Sequence, residues 1–258
     1  MNPALSTVKR CYVARKSGVR AVFITGTDTA VGKTVVTGCL ARYLSEKGYN
    51  VITQKWIQTG CNTFSCSDIA LHLKIMGLTA AAIKKELPYV LPYVFKHASS
   101  PHLAGKIENK KIDPDKIIKS FKALCGRFDF VIVEGVGGAL VPFTDKRLVI
   151  DIVKELDLPV LVVAANKLGA INHALLTIEA LRTRKIKILG LVFNNVRKED
   201  RRILKDNPRV IGALSGQEIF GTLTCESSYK KLYKRFAPIG ERISEEIKNQ
   251  NSNIKINR

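Results

Sequence analysis

Short β-branched apolar blocks recur along the chain at Ala21–Thr25, Val51–Gln54, Phe130–Glu134, Val160–Ala164, Ile188–Asn194 and Val210–Ala213. They are apolar at consecutive positions rather than alternate ones, the pattern of strands buried on both faces. Between them the spacing turns helical. After Gly32, apolar residues at Val35, Val36, Cys39, Leu40, Tyr43 and Leu44 form one stripe, with Arg42, Glu46 and Lys47 opposite. Gly48 then offers the residue type that accepts a left-handed position just past a helix. Pro114–Cys125 (with Asp113 as N-cap), Leu148–Leu156 and Asn172–Arg184 are further helix candidates. Strands and helices alternating at this spacing predict an α/β fold, a mostly parallel sheet with helices on both faces, in a single P-loop-type domain over residues 21–248. Residues 1–20 read as a basic extension outside it and 249–258 as a frayed tail.

Composition changes this picture little. The 258 residues are 46% hydrophobic and 25% charged, enough for a real core and against general disorder. Apolar runs such as Leu158–Ala165 are far too short to cross a bilayer, so no membrane role is expected. The formal charge of +20 would attract polyanions. The basic residues are spread along the chain, however, and no nucleic-acid-reading motif accompanies them, so they are read as a solvated surface and nucleic acid is not an expected partner. The six cysteines lack a C-x-x-C pair and histidines at metal-ligand spacing; idle thiols in a reducing cytoplasm are the expectation.

Ligands of open α/β sheets sit outside the carboxyl ends of the strands. There the sequence places Gly26-Thr27-Asp28-Thr29-Ala30-Val31-Gly32-Lys33-Thr34, between an apolar strand and an amphipathic helix. A loop of backbone N–H groups feeding a helix N-terminus supplies the many donors that phosphate oxygens need. Lys33 adds a point charge for the terminal phosphates, and the Thr34 hydroxyl is a Mg²⁺ ligand. The first glycine stands one position earlier than the usual phosphate-loop spacing, and Thr27 takes its place. Glu134 ends a strand and enters Gly135-Val136-Gly137-Gly138, where an acid suits a cation and the glycines allow close approach. Asp68 precedes an apolar periodic stretch; on its own it reads first as a helix N-cap. Lys55 closes the second strand, where it could stabilise charge on a transferring phosphoryl group.

Together these residues resemble the dethiobiotin synthetase family. The loop at 26–34 looks like that family's long phosphate loop, Lys55–Gly60 its lysine loop, Ser67-Asp68 its metal-binding pair and Ser100–Ala104 its Ser-Pro-His segment. Glu134–Gly138, Lys167–Ala174 and Asn194 follow in the family's order. The resemblance implies a homodimeric ATP- and Mg²⁺-dependent ligase that closes a ureido ring on 7,8-diaminopelargonate with CO₂. It implies that Lys33 and Thr34 serve phosphate and cation, and that Asp68 and Glu134 complete the metal site. Lys55 and Thr59 would face the carbamate and γ-phosphate, and Lys167, Leu168, Gly169 and Asn172 the substrate carboxylate, from the neighbouring protomer. Asn194 would contact the base, and Gly212 would open a nucleotide-contacting terminal loop.

Two departures stand out. Trp56 follows Lys55 where the family commonly has proline, adding bulk near the substrate, and Ala30 stands where several members carry an acid. His102 and His173 are read as structural rather than catalytic, and Trp56 with Tyr89 and Tyr93 as packing rather than a stacking surface. Three other readings remain: a partitioning-type P-loop ATPase that binds DNA non-specifically, a non-catalytic nucleotide-binding paralogue, and a related amide-forming ligase on the same fold that would need ammonia or glutamine. The first usually carries an extra lysine early in the phosphate loop, where this chain has Gly26-Thr27-Asp28.

Overall fold

The structure, a computed structural model, describes residues 20–256, with side chains through 249 apart from residue 66. The expected extension at 1–19 lies outside the described residues; Arg20, assigned to it from sequence, opens the first strand. In chain order the elements are β1 (Arg20–Gly26), α1 (Lys33–Glu46), β2 (Val51–Lys55), β3 (Ile57–Gln58), α2 (Asp68–Met76), α3 (Leu87–Val90), β4 (Tyr93–Val94), α4 (Pro101–Ile107) and α5 (Pro114–Cys125). They continue with β5 (Phe130–Gly138), α6 (Val149–Glu155), β6 (Val160–Ala165), α7 (Ala170–Thr183), β7 (Ile188–Asn195), α8 (Arg201–Ser215), β8 (Ile219–Thr224) and α9 (Tyr229–Ile256).

Six strands form one parallel sheet in the order β2-β5-β1-β6-β7-β8, and β3 pairs with β4 beside it. Both faces are buried, as the unbroken apolar runs require. Phe23, Val131, Val133, Val160 and Val162 pack on one face with Ile117 and Phe121 of α5, Val149 of α6 and Ile178 of α7. Val22, Ile24, Phe130, Ile132, Leu161 and Val163 pack on the other with Val36 and Leu40 of α1 and Phe236 and Ile243 of α9. Each such side chain removed from water contributes about 1.5–3 kcal/mol before the entropy of ordering it is counted.

β1 lies between β5 and β6, so the loop that leaves its carboxyl end emerges between the ends of those two strands. That is where the sheet changes direction of winding and where ligands of this architecture bind.

The sequence reading fails first at the edge strand. Val210–Ala213, expected as a strand, lies in the last turns of α8, and the edge strand is Ile219–Thr224. Gly212 is therefore helical and opens no loop. The proline at 208 concealed the helix, since proline removes an N–H and disfavours a helix interior. Here the carbonyl left without its helical donor, Leu204 O, accepts instead from Asn166 Nδ2 at 2.9 Å. Asn207 Nδ2 in turn donates to Asn166 Oδ1 at 2.9 Å and to Lys167 O at 3.0 Å. α9 continues through Ile256, so helical backbone covers most of the stretch read as a tail. Cys39, Cys125 and Cys225 are free thiols as expected, but Cys61 is disulfide-bonded, against the expectation of idle thiols throughout.

Candidate active site

The loop between β1 and α1 closes on itself. Lys33, 6% exposed, donates from Nζ to Asp28 O at 2.9 Å, and Thr29 N donates to Asp28 Oδ1 at 2.7 Å. Gly32 caps α1 with φ 101°, and a Cβ there would lie 2.1 Å from Asn194 Nδ2. Glycine is thus required twice, by the backbone and by the neighbour. Ala30 takes φ 54°, a left-handed conformation that a non-glycine residue adopts at a cost. The N–H groups of the first turn of α1 have no helical acceptor, which makes this end a ready anion site.

Next to it the end of β2, the middle of β5, which runs on past Glu134 to Gly138 rather than ending there, and the first two turns of α2 bring four charged or titratable groups together. Glu134, 1% exposed, accepts on Oε1 from Thr34 Oγ1 at 3.0 Å and from Lys55 Nζ at 2.9 Å. Its Oε2 lies 2.7 Å from His72 Nε2. Lys55, 3% exposed, also reaches Asp68 Oδ2 at 2.7 Å and Gly135 O at 2.8 Å. All three of its ammonium hydrogens are thereby committed.

Asp68 is not the N-cap of α2, as its position alone suggested. Ser67 is, its Oγ accepting from Ala70 N at 3.2 Å. This frees the Asp68 carboxylate for Lys55. Gln58 Oε1 accepts from Asp68 N at 2.9 Å and fixes the start of the helix.

The electrostatics follow from these contacts. Burial opposes the charge on Glu134, yet the Lys55 ammonium and the His72 hydrogen bond hold its carboxyl well below the usual carboxylate range. Burial likewise opposes the charge on Lys55, but Glu134 and Asp68 raise it above its ordinary value. Lys33 is pushed down to about 8, by burial first and by Lys55 second.

Other expected residues fall elsewhere. Trp56 points into the core, 2% exposed, its ring 5.1 Å from Phe23 and 6.2 Å from Phe143, and its Nε1 donates to Gln54 Oε1 at 3.0 Å. Its bulk is therefore packing and not a wall beside the lysine loop. Thr59 is half-buried just past β3, its carbonyl accepting from Gln58 Nε2 at 3.3 Å. Lys167–Asn172 runs from the end of β6 into α7, with Gly169 capping the helix at φ 87°. Among the described residues no hydrogen bond or ion pair joins it to the carboxylate cluster. It borders a cavity of about 930 Å³ between α7 and α8 that Leu168, Ile171 and Ile203 help line. Asn194 Nδ2 donates to Val31 O at 3.1 Å and so braces the phosphate loop. Ser100 Oγ lies 3.0 Å from His102 Nδ1, and His173 is exposed on α7, away from the carboxylates.

Sequence reasoning missed two features. His72 is the histidine that reaches the cluster; it stands four residues after Asp68 on α2, a spacing that puts both on one helix face. The other is a cavity of about 550 Å³ beyond Gly32, lined by Val35, Asn194, Asn195, Thr224, Ser228 and Tyr229. The buried Asn195 Oδ1 has no partner among the described residues.

The donors at the phosphate end are Thr34 Oγ1, Asp68 and Glu134, all oxygens, as a hard divalent cation that keeps water and phosphate oxygens requires. Among the described residues no cluster of three or more His, Cys, Asp or Glu forms a self-sufficient metal cage. A cation here would need the phosphates as ligands, which fits Mg²⁺ with a nucleoside triphosphate.

A family profile described as "AAA domain" matches residues 20–230. The ATP-dependent dethiobiotin synthetase BioD 2 of Haemophilus influenzae is 42% identical over 188 residues, covering 72% of this chain and 96% of that protein. The ATP-dependent dethiobiotin synthetase BioD of Chlorobaculum tepidum is 42% identical over 198 residues, covering 77% of this chain and 82% of that protein. Among solved structures, MinD from Pyrococcus horikoshii complexed with Mg-ADP has TM-score 0.56 at 16% identity, covering 93% of this chain and 99% of that one. The pNOB8 ParA bound to nonspecific DNA has TM-score 0.56 at 12% identity, covering 90% and 99%. The structural neighbours share the fold; identity at this level over nearly the whole of the first relative shows more, and the chain belongs to the dethiobiotin synthetase family.

Proposed function

We propose that this chain carries out ATP-dependent carboxylation and ring closure of 7,8-diaminopelargonate with CO₂, giving dethiobiotin, ADP and phosphate for biotin synthesis. The observation that carries the reading is Lys55, buried between Asp68 and Glu134 at the mouth of the phosphate loop in a chain of this family. In this reading residues 21–248 form the ligase domain, working in the cytoplasm.

The chemistry suits these residue types. One substrate amine adds to CO₂ to form a carbamate, which is anionic and a poor electrophile. Its oxygen takes the γ-phosphoryl group as ADP leaves, giving a carbamic–phosphoric anhydride. The second amine attacks the carbonyl carbon, loses a proton and expels phosphate. No protein nucleophile is needed; the site must position the reactants and balance negative charge.

The 26–34 loop amides and Lys33 bind the triphosphate, releasing Lys33 from Asp28 O. Thr34, Asp68 and Glu134 would hold Mg²⁺, which when bound neutralises charge on the phosphates. Lys55 faces the transferring group. Because its hydrogens are all committed in the structure, it does so by exchanging one acceptor, and Asp68, with a side chain 27% exposed, is the partner least confined. Gly135, Gly137 and Gly138 let β5 lie close to its neighbours, because a Cβ there would stand 2.8 Å from Phe23 Cζ, 2.8 Å from Val141 Cγ2 and 3.4 Å from Gly26 O. Asn194 and Asn195 border the base cavity, and rotation of the Asn195 amide would bring its unpartnered Oδ1, shielded from solvent in the ligand-free chain, to the exocyclic amine of adenine.

Lys167, Leu168, Gly169 and Asn172 would bind the substrate carboxylate across a homodimer interface, with Thr59 on the near side. Leu140, Leu168 and Leu176, exposed by 52%, 73% and 61%, supply the apolar surface that such an interface would cover. Among the described residues no helix is long and apolar enough to cross a membrane.

The test is direct. 7,8-Diaminopelargonate with bicarbonate should stimulate phosphate release from MgATP and yield dethiobiotin in equal amounts; hydrolysis indifferent to the diamine would refute the reading. Steeply salt-dependent DNA binding in that case would favour the partitioning-type ATPase, to which the fold is similar.

A further inference from the structure

His72 has no part in the chemistry above, yet it is fully buried, at 0% exposure, with a single polar commitment. Its Nε2 is 2.7 Å from Glu134 Oε2, while Nδ1 has no partner among the described residues. A core histidine kept only for packing would satisfy both ring nitrogens or give way to a leucine, because an unpaired buried polar atom is costly. The expense here supports one bond, made to the carboxylate that also touches Thr34 and Lys55.

The helix packing brings this about. α2 can place His72 on Glu134 because α1 has glycine at position 38: a Cβ there would lie 3.3 Å from His72 Cα and 2.9 Å from Ile75 Cδ1. Asp68 and His72, one turn apart on α2, then reach the same pair of strands, Asp68 through Lys55 and His72 through Glu134.

We infer that His72 is a positioning residue for the cation pole of the site, an inference that rests on the reading of Thr34 and Glu134 given above. The carboxylate accepts and cannot donate, so the Nε2 hydrogen points at Oε2 and pins it. The plane of the carboxylate is then fixed with Oε1 facing Thr34 and Lys55. Thr34 must direct its hydroxyl hydrogen at Oε1, which turns its oxygen lone pairs toward the phosphate loop, the orientation a cation ligand needs. Without His72, Glu134 could rotate, and Thr34 would lose its fixed acceptor.

The test is direct binding of ADP, with and without magnesium, to the full chain, alongside melting of the ligand-free protein. Magnesium should tighten ADP binding to the wild type. His72→Leu, similar in bulk but without a donor, should lose at least tenfold of that magnesium-dependent gain, while its metal-free ADP affinity stays within threefold. His72→Gln, which restores an N–H, should keep the gain within threefold. An undiminished gain in His72→Leu overturns the inference, as does an equal loss in His72→Gln. If the leucine variant does not fold, the glutamine variant decides by the same thresholds. No diaminopelargonate enters the assay, so the inference stands or falls apart from the substrate. A wild type with no magnesium-dependent gain would instead remove the cation-pole reading itself.

Discussion

The two ends of the nucleotide cleft are built on different physical plans. At the phosphate end each charged side chain is engaged: Lys33 on Asp28 O, Glu134 with Thr34 and His72, and Lys55 on three acceptors at once. At the base end a cavity of about 550 Å³ stands between β7, β8 and α9, with Asn195 Oδ1 unpartnered. The first is a buried charge network, stable only while its members remain together. The second has room and spare hydrogen-bonding capacity. Damage at the phosphate end should therefore affect both catalysis and folding, whereas damage at the base end should affect affinity alone.

The sharpest way to break this contrast is Lys55→Met. It leaves Asp68 and Glu134 facing each other with no cation between them. Turnover should fall at least about a thousandfold, and stability by about 3 kcal/mol, the usual scale for removing one partner of a buried pair. ADP binding without magnesium should change by less than about tenfold, since the loop amides and Lys33 remain. Denaturant unfolding, ADP titration and dethiobiotin formation read the three quantities separately. Near-normal turnover would show that Lys55 serves structure alone.

Next in size is the pH response of Lys33, whose ammonium is held down to about 8 from an ordinary 10.5 by burial and by Lys55. A bound triphosphate favours the charged form, so binding should raise that value. Above pH 8 nucleotide binding should take up a proton, and affinity should decline by up to about tenfold per unit while Lys33 is neutral in the free protein. The sign for stability is opposite. Between about 8 and 10.5 the unfolded chain holds more protons at this residue than the folded one, so Lys33's contribution to ligand-free stability rises with pH across that window. Calorimetry in buffers of differing ionisation enthalpy reads the proton uptake. A pH-independent affinity up to 10 would mean that Lys33 does not meet the phosphates.

On the base side, Asn195→Leu should raise the KM for ATP by about five- to tenfold, the value of one hydrogen bond, and leave kcat within twofold. A fall in kcat would erase the distinction between the two ends.

The same contrast explains what could be read from sequence. The phosphate end was legible because its residues follow strands immediately and in order: the 26–34 loop after β1, Lys55 ending β2, Glu134 within β5. Local chemistry and position in the sheet coincide there. His72 was not legible, because what matters is the α1–α2 packing at Gly38 and not any motif around the histidine. The base end was least legible of all. Pro208 hid α8 although Asn166 supplies the donor that proline lacks, and Gly221 interrupts the apolar run of β8 because α9 presses close, with Ile239 2.8 Å from where a Cβ would stand. Both compensations are tertiary, and a single sequence carries no local trace of them.

The smallest expected effect concerns the loop that joins the two ends. Ala30 sits at φ 54°, exposed, with no helix or strand to hold it there. Left-handed backbone costs a residue with a Cβ about 1 kcal/mol, whereas glycine enters it freely but loses more entropy on folding. Ala30→Gly should therefore stabilise the ligand-free protein by no more than about 0.5 kcal/mol, the difference of those two terms. If the left-handed turn is needed to aim the loop amides, triphosphate affinity should change less than twofold, since glycine keeps that turn available. Ala30→Val, which resists positive φ, should instead weaken nucleotide binding severalfold while dethiobiotin formation at saturating ATP persists. Equal affinities in the glycine and valine variants would show that the loop acquires its binding shape only around the phosphates, and that its conformation in the free protein is incidental to its function.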